Sequence, residues 1–162
     1  ALKLESVSFQ LQFLKAQMNP HFIFNTIGSI SADLKSDNID KSKELLNNFS
    51  SLMRSTLDFA EVEKISLEEE IVFLNNYLNL EKYRLEDNMD FEILYDENLD
   101  IDFIDIPSMI IQPYVENAIK HGIKPLTKKG KVSINFIEKE DYLLCVIIDN
   151  GIGRKQAQYG RK

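Results

Sequence analysis

The sequence is poor in cysteine, proline and glycine, and it has neither a dense basic run nor an apolar run of membrane-spanning length. One cysteine, Cys145, excludes a disulfide within a single chain and favours a reducing compartment. Four prolines and six glycines among 162 residues are too few for a disordered chain. A net charge of -7 without a basic patch argues against direct nucleic-acid binding. A folded, mostly regular protein is therefore expected.

Helical periodicity dominates the first third of the chain. Apolar residues alternate at three- and four-residue spacing at Leu4, Val7, Leu11, Leu14 and Met18. This spacing is typical of a coiled-coil seam, so we expect the helix to pair with a second copy of itself. After a polar break at Ser36-Asp37-Asn38, a second apolar stripe begins at Ile39 and runs to Leu57. Two such helices predict an antiparallel hairpin, and two hairpins predict a dimeric four-helix bundle.

The stretch QMNPHFIFN, from Gln17 to Asn25, places a histidine at the start of a helix. Asn19 is a good N-cap and Pro20 suits the first helical position, so a helix begins or restarts one residue before His21. His21 then lies in the first turn, on the same helical face as Asn25. An imidazole has an unperturbed pKa of about 6.5, so near neutrality an accessible one is partly an uncharged nucleophile.

The pattern changes near residues 60–65, which predicts a helical unit over 1–62 and a second unit over 63–162. Ser66-Leu67-Glu68-Glu69 has the form of a capping box and predicts the start of a helix that ends near Asp87-Asn88. Strands and helices then alternate. We expect a two-layer α/β sandwich here, and hence an α+β fold for the whole chain.

Within this second unit the pattern predicts strands at 91–95 and 101–103. Pro107 predicts the start of a helix that continues past a bend at Pro113 and stops at Gly122. Residues 131–137 alternate between polar and apolar, which is typical of an outer strand. Residues 142–148 are almost wholly apolar, which favours a central strand with Cys145 buried in it.

Two clusters in the second unit have side chains suited to nucleotide chemistry. In QPYVENAIKHG, Asn117, Lys120 and His121 fall with Pro113 on one helical stripe. An amide, an ammonium and an imidazole in line suit a hydrated Mg²⁺ and the phosphates that it bridges, because Mg²⁺ takes few protein ligands. The alternative is a solvated polar helix face, with His121 close to the carbonyls of a helix end.

The second cluster, DNGIG, follows the last apolar strand. The carboxylate of Asp149 can accept a hydrogen bond from an adenine amino group, and Gly151 and Gly153 permit close approach of the backbone to the base. An ordinary turn after a strand is the alternative. The order and spacing of the two clusters and the His21 motif favour the functional interpretation over chance.

These motifs together give the chain a resemblance to the LytS/YehU-type branch of bacterial sensor histidine kinases. The resemblance runs from about Leu14 to Lys155 and is carried by QMNPHFIFN, SLEEEIVFLNNYLNLEKYR, IPSMIIQPYVENAIKHGI and DNGIG. It implies a dimeric phosphotransfer domain followed by an ATP-binding domain of the fold shared by gyrase, Hsp90 and MutL. It also implies a response regulator as partner, often with a LytTR-type domain.

The resemblance assigns a role to each candidate residue. His21 resembles the phosphoacceptor, Asn117 the magnesium ligand, and Lys120 and His121 groups near the phosphates of ATP. Asp149 resembles the adenine anchor, with Gly151 and Gly153 shaping the pocket. Glu116, next to Asn117, is a candidate for metal or proton handling, and Asn25 is a candidate for any phosphatase activity.

Three features depart from related enzymes. Phe22 stands where many histidine kinases have an acidic residue after the phosphoacceptor. Pro113 stands where ATPases of this fold have a water-polarising glutamate, which favours transfer to a histidine over hydrolysis. No second glycine-rich segment follows Gly153, so we expect an ATP-binding domain that is incomplete at its C-terminus.

Other interpretations remain open at this stage. One is a dimerisation scaffold that keeps the fold without catalysis, and another is a metal site that joins His21 and His121. The chain begins at Ala1 with a helical pattern already in phase. We therefore expect a piece of a longer protein. The resemblance implies the cytoplasmic portion of a membrane-anchored sensor, attached to the membrane only through segments outside this chain.

Overall fold

The structure, a computed structural model, describes residues 20–35, 39–86 and 88–153. It has an α+β architecture, which confirms the predicted fold class at that level. The predicted coiled-coil seam at residues 4–18 lies outside the described residues. None of the helices in these three ranges has the length and apolar character that a membrane crossing requires.

Two helices come first, α1 (Pro20–Lys35) and α2 (Ile39–Phe59), and they pack against each other. The buried face of α2 includes Leu45, Leu52 and Phe59. The Thr56 hydroxyl also lies on this face and donates to the carbonyl of Leu52 at 2.8 Å, so its burial leaves no unpaired hydroxyl. The aromatic ring of Phe59 lies 5.6 Å from that of Phe73 in the next helix, which fixes the end of α2.

That next helix, α3 (Leu67–Arg84), begins with the predicted capping box. The Ser66 hydroxyl accepts a hydrogen bond from the N–H of Glu69 at 3.1 Å, and the Glu69 carboxylate accepts one from the N–H of Ser66 at 2.8 Å. Two orphan N–H groups of the first turn are thereby satisfied. The capping box is confirmed.

The strands form two sheets. Strands β1 (Lys64–Ser66) and β3 (Asp105–Pro107) make a short antiparallel ribbon. The larger sheet has the order β2 (Met89–Tyr95), β4 (Gly130–Glu138), β5 (Leu143–Asp149). Strand β4 pairs in parallel with β2 and antiparallel with β5. An ion pair of 2.8 Å between Lys82 and Asp90 connects α3 to β2.

The predicted order of the last two strands was wrong. Strand β4, expected outside, is the central strand, and among the described residues β5 lies at the edge. Val132, Ile134 and Phe136 of β4 are buried because strands flank β4 on both sides and its apolar side chains face the core. Cys145 on β5 is only half-buried, although it packs against the core.

The segment before the candidate site also differs from prediction. Residues 101–103 form a turn, and Pro107 ends β3 rather than opening a helix, since β3 pairs with β1. The helix begins later, as α4 (Gln112–Asn117), and continues as a π-helix (Ala118–Ile123) past the predicted stop at Gly122. Pro113 therefore lies in the first turn, where it removes no intrahelical hydrogen bond.

One hydrophobic cluster unites the helices and the sheet, and its buried members run from Phe22 in α1 to Phe136 in β4. The predicted boundary at residues 62 and 63 falls between α2 and β1. Residues on both sides of this boundary contribute to the shared core, with α2 packed on α3.

Candidate active site

The candidate site forms where the π-helix meets the loop after β5. The N–H of Ile152 donates a hydrogen bond to the carbonyl of Gly122 at 3.2 Å. These two residues belong to the two clusters that the sequence separates by an entire β-hairpin. The fold therefore brings the Asn-Ala-Ile-Lys-His cluster and the DNGIG cluster together.

The DNGIG loop is held in place by its own side chains. Oδ1 of Asp149 accepts from the N–H of Gly151 at 2.9 Å. Oδ1 of Asn150 accepts from the N–H of Lys131 at 2.7 Å, and the N–H of Asn150 donates to the Lys131 carbonyl at 3.2 Å. Asn150 thus extends the pairing of β4 with β5, while Asp149 stays exposed at the strand end.

Glycine is required at both ends of this contact because a Cβ on either residue would collide with the facing segment. A Cβ on Gly122 would lie 2.5 Å from Oδ1 of Asp149. A Cβ on Gly151 would lie 2.3 Å from Cα of Gly122. Gly153 has a different reason, since its φ of +73° is one that other residues rarely adopt.

The three candidate side chains of the helix face solvent beside this loop. Asn117 ends α4, and Lys120 and His121 belong to the π-helix; all three are exposed, as is Pro113. The predicted stripe is therefore an accessible surface. A π-helical turn is rare and frequently marks a functional site, because its wider turn displaces the side chains that follow it.

The side chains at this surface are chemically suited to a magnesium-bound phosphate. Asn117 offers one neutral amide oxygen in a setting open enough for the waters that Mg²⁺ retains. Among the described residues, no group of three or more His, Cys, Asp or Glu forms a metal site by itself. The alternative site that joins His21 and His121 is untested, because the His21 side chain lies outside the described part of the chain.

Glu116 is turned toward the protein interior and is half-buried. Its carboxylate accepts a hydrogen bond from Nε2 of Gln112 at 2.7 Å. Burial raises its pKa above the usual value; the Gln112 hydrogen bond lowers it in part, and the nearby charge of Glu81 raises it further. Glu116 therefore lies between Asn117 and the buried polar groups of α3.

The main chain of His21 lies in the first turn of α1, as the Asn-Pro step predicted. The neighbouring ring of Phe22 is buried against Tyr77 of α3, with the ring centroids 5.4 Å apart. Asn25, one turn later, is half-buried, and its carbonyl accepts from the Ser29 hydroxyl at 3.0 Å. The roles predicted for His21 and Asn25 stay predictions.

Sequence reasoning missed a set of buried polar groups on α3. Glu70 is 0% exposed, and neither carboxylate oxygen has a hydrogen-bond partner among the described residues. Burial raises its pKa to about 7. The main chain of Ile111 lies near the carboxylate and partly offsets the rise, but it does not meet the geometry of a hydrogen bond. Glu70 and Glu81 recur with Leu74 and Tyr77 at spacings of four, three and four residues, so both carboxylates lie on the apolar stripe. That periodicity was the available signal.

A cleft of about 700 Å³ lies at the opposite end of the larger sheet. It is lined by residues 94–99 of the chain, apart from Glu97, and by residues 135–140. Asp149 pairs with Val132 at the other end of β4, so the cleft contains none of the predicted site residues. The site is defined by side-chain chemistry and loop contact, and this cleft is separate from it.

The sequence match agrees with the motifs and the fold. The family described as histidine kinase matches residues 9–89, which is half of the chain. The chain therefore belongs to the histidine kinase family, and the predicted resemblance to its LytS/YehU-type branch is confirmed.

Several named relatives are similar to this chain. Sensor histidine kinase YpdA of Escherichia coli is 33% identical over 144 residues, which cover 89% of this chain and 25% of the relative. Sensor protein LytS of Oceanobacillus iheyensis is 36% identical over 144 residues, which cover 89% of this chain and 24% of the relative. YwpD of Bacillus subtilis, named a putative uncharacterized protein, is 34% identical, with 92% and 53% covered. The chain thus spans about a quarter of the first two relatives and about half of the third.

Proposed function

We propose that this chain is the kinase core of a two-component sensor. In this proposal it transfers the γ-phosphoryl group of ATP to His21 and then to an aspartate of a response regulator. The observation that carries the proposal is the hydrogen bond between Ile152 and Gly122. It brings the helix surface suited to Mg²⁺ and phosphate next to the loop suited to adenine. Membership of the histidine kinase family supports the same chemistry.

The adenine half of the proposed site is the loop after β5. A carboxylate offers about four lone-pair directions. Asp149 can therefore accept from an adenine amino group while it retains the hydrogen bond from Gly151. The missing side chains at Gly122 and Gly151 leave the loop flat against the helix, and the exposure of Asp149 leaves its carboxylate accessible.

The phosphate half is the exposed surface of the helix. Bound Mg²⁺ supplies neutralisation of the charge that develops on the phosphate oxygens. Asn117 offers it an amide oxygen, and the Lys120 ammonium lies one helical turn further on. In this proposal His121, also exposed, donates a hydrogen bond to a phosphate oxygen. These three residues bind the metal and the phosphates and orient the γ-phosphate, since phosphoryl transfer depends mainly on in-line positioning and charge neutralisation.

At His21 an uncharged imidazole nitrogen forms the new bond to the γ-phosphorus. The bond from that phosphorus to the bridging oxygen breaks, and ADP leaves with the electron pair. The imidazole proton passes to solvent, since the next residue is Phe22 rather than an acid. The phosphoryl group then moves from nitrogen to a carboxylate oxygen of the response regulator, which regenerates the imidazole.

The proposal includes a homodimer formed through the N-terminal helices. Exposed apolar side chains on α1 and α2 support it, with Phe24 74% and Leu46 51% exposed in the single chain. A response regulator is the proposed partner, and the family resemblance implies one that often carries a LytTR-type domain. Because the chain spans about a quarter of the first relatives, we place it as the cytoplasmic portion of a longer membrane-anchored sensor.

Labelling of the full-length protein with γ-³²P-ATP and Mg²⁺ tests this function. His21→Gln should abolish an acid-labile, base-stable label and leave nucleotide binding intact. His121→Gln, at the other histidine of the chain, is the comparison: it should weaken labelling through poorer nucleotide binding but retain the same product. A label that survives His21→Gln would refute the assignment. Nucleotide binding without any label would instead indicate a non-catalytic scaffold.

A further inference from the structure

We propose that Tyr77 is a positioning residue that joins the turn carrying His21 to the helix carrying Asn117. This inference rests on the proposed function, because it concerns how the two halves of that reaction are held together. The ring of Tyr77 contacts Phe22, which directly follows His21. Its hydroxyl donates to Glu81 of the same helix, and the charge of Glu116, which directly precedes Asn117, also acts on that hydroxyl.

The contact with α1 is made through one face of that helix. Phe22 is 6% exposed and Tyr77 is 5% exposed, and their rings are tilted by 34° at a centroid distance of 5.4 Å. The Thr26 hydroxyl, also buried, donates to the Phe22 carbonyl at 2.8 Å, and Ile30 continues the same buried face. Burial of this face fixes the rotation of α1 about its axis, and the main chain of residue 21 rotates with it.

The other side of Tyr77 is polar. Its hydroxyl donates to Oε1 of Glu81 at 3.4 Å, and the other Glu81 oxygen pairs with Arg84. Burial raises the pKa of Tyr77 well above its usual value, so the hydroxyl keeps its proton and remains a donor. The carboxylates of Glu81 and Glu116 both lie close enough to Tyr77 to influence it.

Glu116 completes the connection to the candidate site. The charges of Glu81 and Lys120 both act on its carboxylate, which Gln112 holds at 2.7 Å. The like charges of Glu81 and Glu116 repel. Tyr77 and Arg84 donate to Glu81, Gln112 donates to Glu116, and these hydrogen bonds offset the repulsion. Removal of the Tyr77 hydroxyl should therefore shift Glu116, and Asn117 moves with it because the two residues are adjacent in the helix.

The two sides of Tyr77 predict two separable kinetic effects. A misplacement of about 1 Å costs a phosphoryl transfer on the order of 100-fold. Phe22→Ala should therefore lower the labelling rate at saturating ATP by at least about tenfold while the Kd for nucleotide stays within about twofold. Tyr77→Phe keeps the ring but removes the hydroxyl. It should weaken nucleotide binding by about threefold or more, the effect of one weak hydrogen bond, with the saturated rate within about twofold.

The experiment uses the full-length protein and measures nucleotide Kd, labelling rate at saturating ATP, oligomeric mass and thermal unfolding for each variant. Phe103→Ala is the matched control, because that ring is 83% exposed in the turn at residues 101–103, outside the proposed site and the helices of the proposed dimer. This control should leave the labelling rate, the nucleotide Kd and the oligomeric mass unchanged. Phe22→Leu keeps an apolar side chain in this position and should retain part of the labelling rate. It therefore keeps the test decisive if Phe22→Ala does not fold.

Three results would overturn the proposal. One is a Phe22→Ala rate within about twofold of wild type or above it, since a faster rate would make the contact inhibitory. Another is an equal change of Kd and rate in Phe22→Ala, which is the signature of general unfolding. The third is a Tyr77→Phe variant with unaltered Kd. An unlabelled wild-type protein would refute the proposed function instead, and the His21→Gln comparison separates these two failures.

Discussion

Glu70 should make the protein less stable as the pH rises through neutrality. Its carboxyl group is fully buried without a hydrogen-bond partner among the described residues, and burial raises its pKa from 4.5 to about 7. The folded state therefore favours the neutral acid, whereas the unfolded chain ionises at the ordinary value. The stabilisation from the neutral form is complete below the unfolded pKa and is lost as the pH rises through the folded pKa.

The size of this effect follows from the difference between the two pKa values. One pKa unit corresponds to about 1.4 kcal/mol, so a rise from 4.5 to about 7 corresponds to about 3 kcal/mol at most. Between pH 5 and pH 8 the free energy of unfolding should fall by about 2 kcal/mol from this residue alone, after allowance for local relaxation. That is a large share of the stability of an ordinary domain.

Urea unfolding followed by circular dichroism at pH 5, 6, 7 and 8 measures this slope. Glu70→Gln replaces the carboxyl with a group of the same shape that cannot ionise, so its free energy of unfolding should fall by about 2 kcal/mol less than that of the wild type over this range. Glu44→Gln, at an exposed glutamate of α2, is the control and should keep the wild-type slope. If Glu70→Gln loses stability with pH as steeply as the wild type does, Glu70 is not the buried acid that we infer.

Two further predictions concern the backbone. Gly122→Ala should cost about 1–3 kcal/mol in thermal unfolding and weaken nucleotide binding, since its Cβ would lie 2.5 Å from Asp149. Gly28→Ala, with no atom within 4 Å of the added carbon, should stabilise α1 by about 0.5–1 kcal/mol, and equal losses in the two variants would contradict the steric argument. Ser66→Ala should cost about 1 kcal/mol, and a double-mutant cycle with Glu69→Ala should reveal coupling; strict additivity would exclude the capping box.

Local chemistry made some features predictable from the sequence. The capping box at Ser66 depends on residues within one turn, and it is found in the structure. The chain is helical from Pro20 onward, in agreement with the helix predicted to contain His21. The convergence of the Asn117 and Asp149 clusters followed from the family resemblance, and the Gly122–Ile152 contact brings them together.

Features that depend on distant partners were not predictable in this way. The central place of β4 is set by its pairing with β2 on one side and β5 on the other, and polar alternation within one strand does not encode a neighbour. Gly122 resembled a helix-ending glycine, yet its real constraint is contact with a loop that follows the next hairpin. Glu70 directly follows two exposed glutamates, Glu68 and Glu69, and only its place on the apolar stripe distinguishes it from them.

The π-helical segment from Ala118 to Ile123 has a consequence for insertions and deletions near the site. A wide turn accommodates one residue more than a regular α-helix would over the same axial distance. Deletion of a single residue between Asn117 and Gly122 would therefore restore regular helical geometry, and propensity alone would favour it. The same deletion would move Gly122 away from Gly151. The irregular π-helical backbone is therefore what keeps these two glycines in contact.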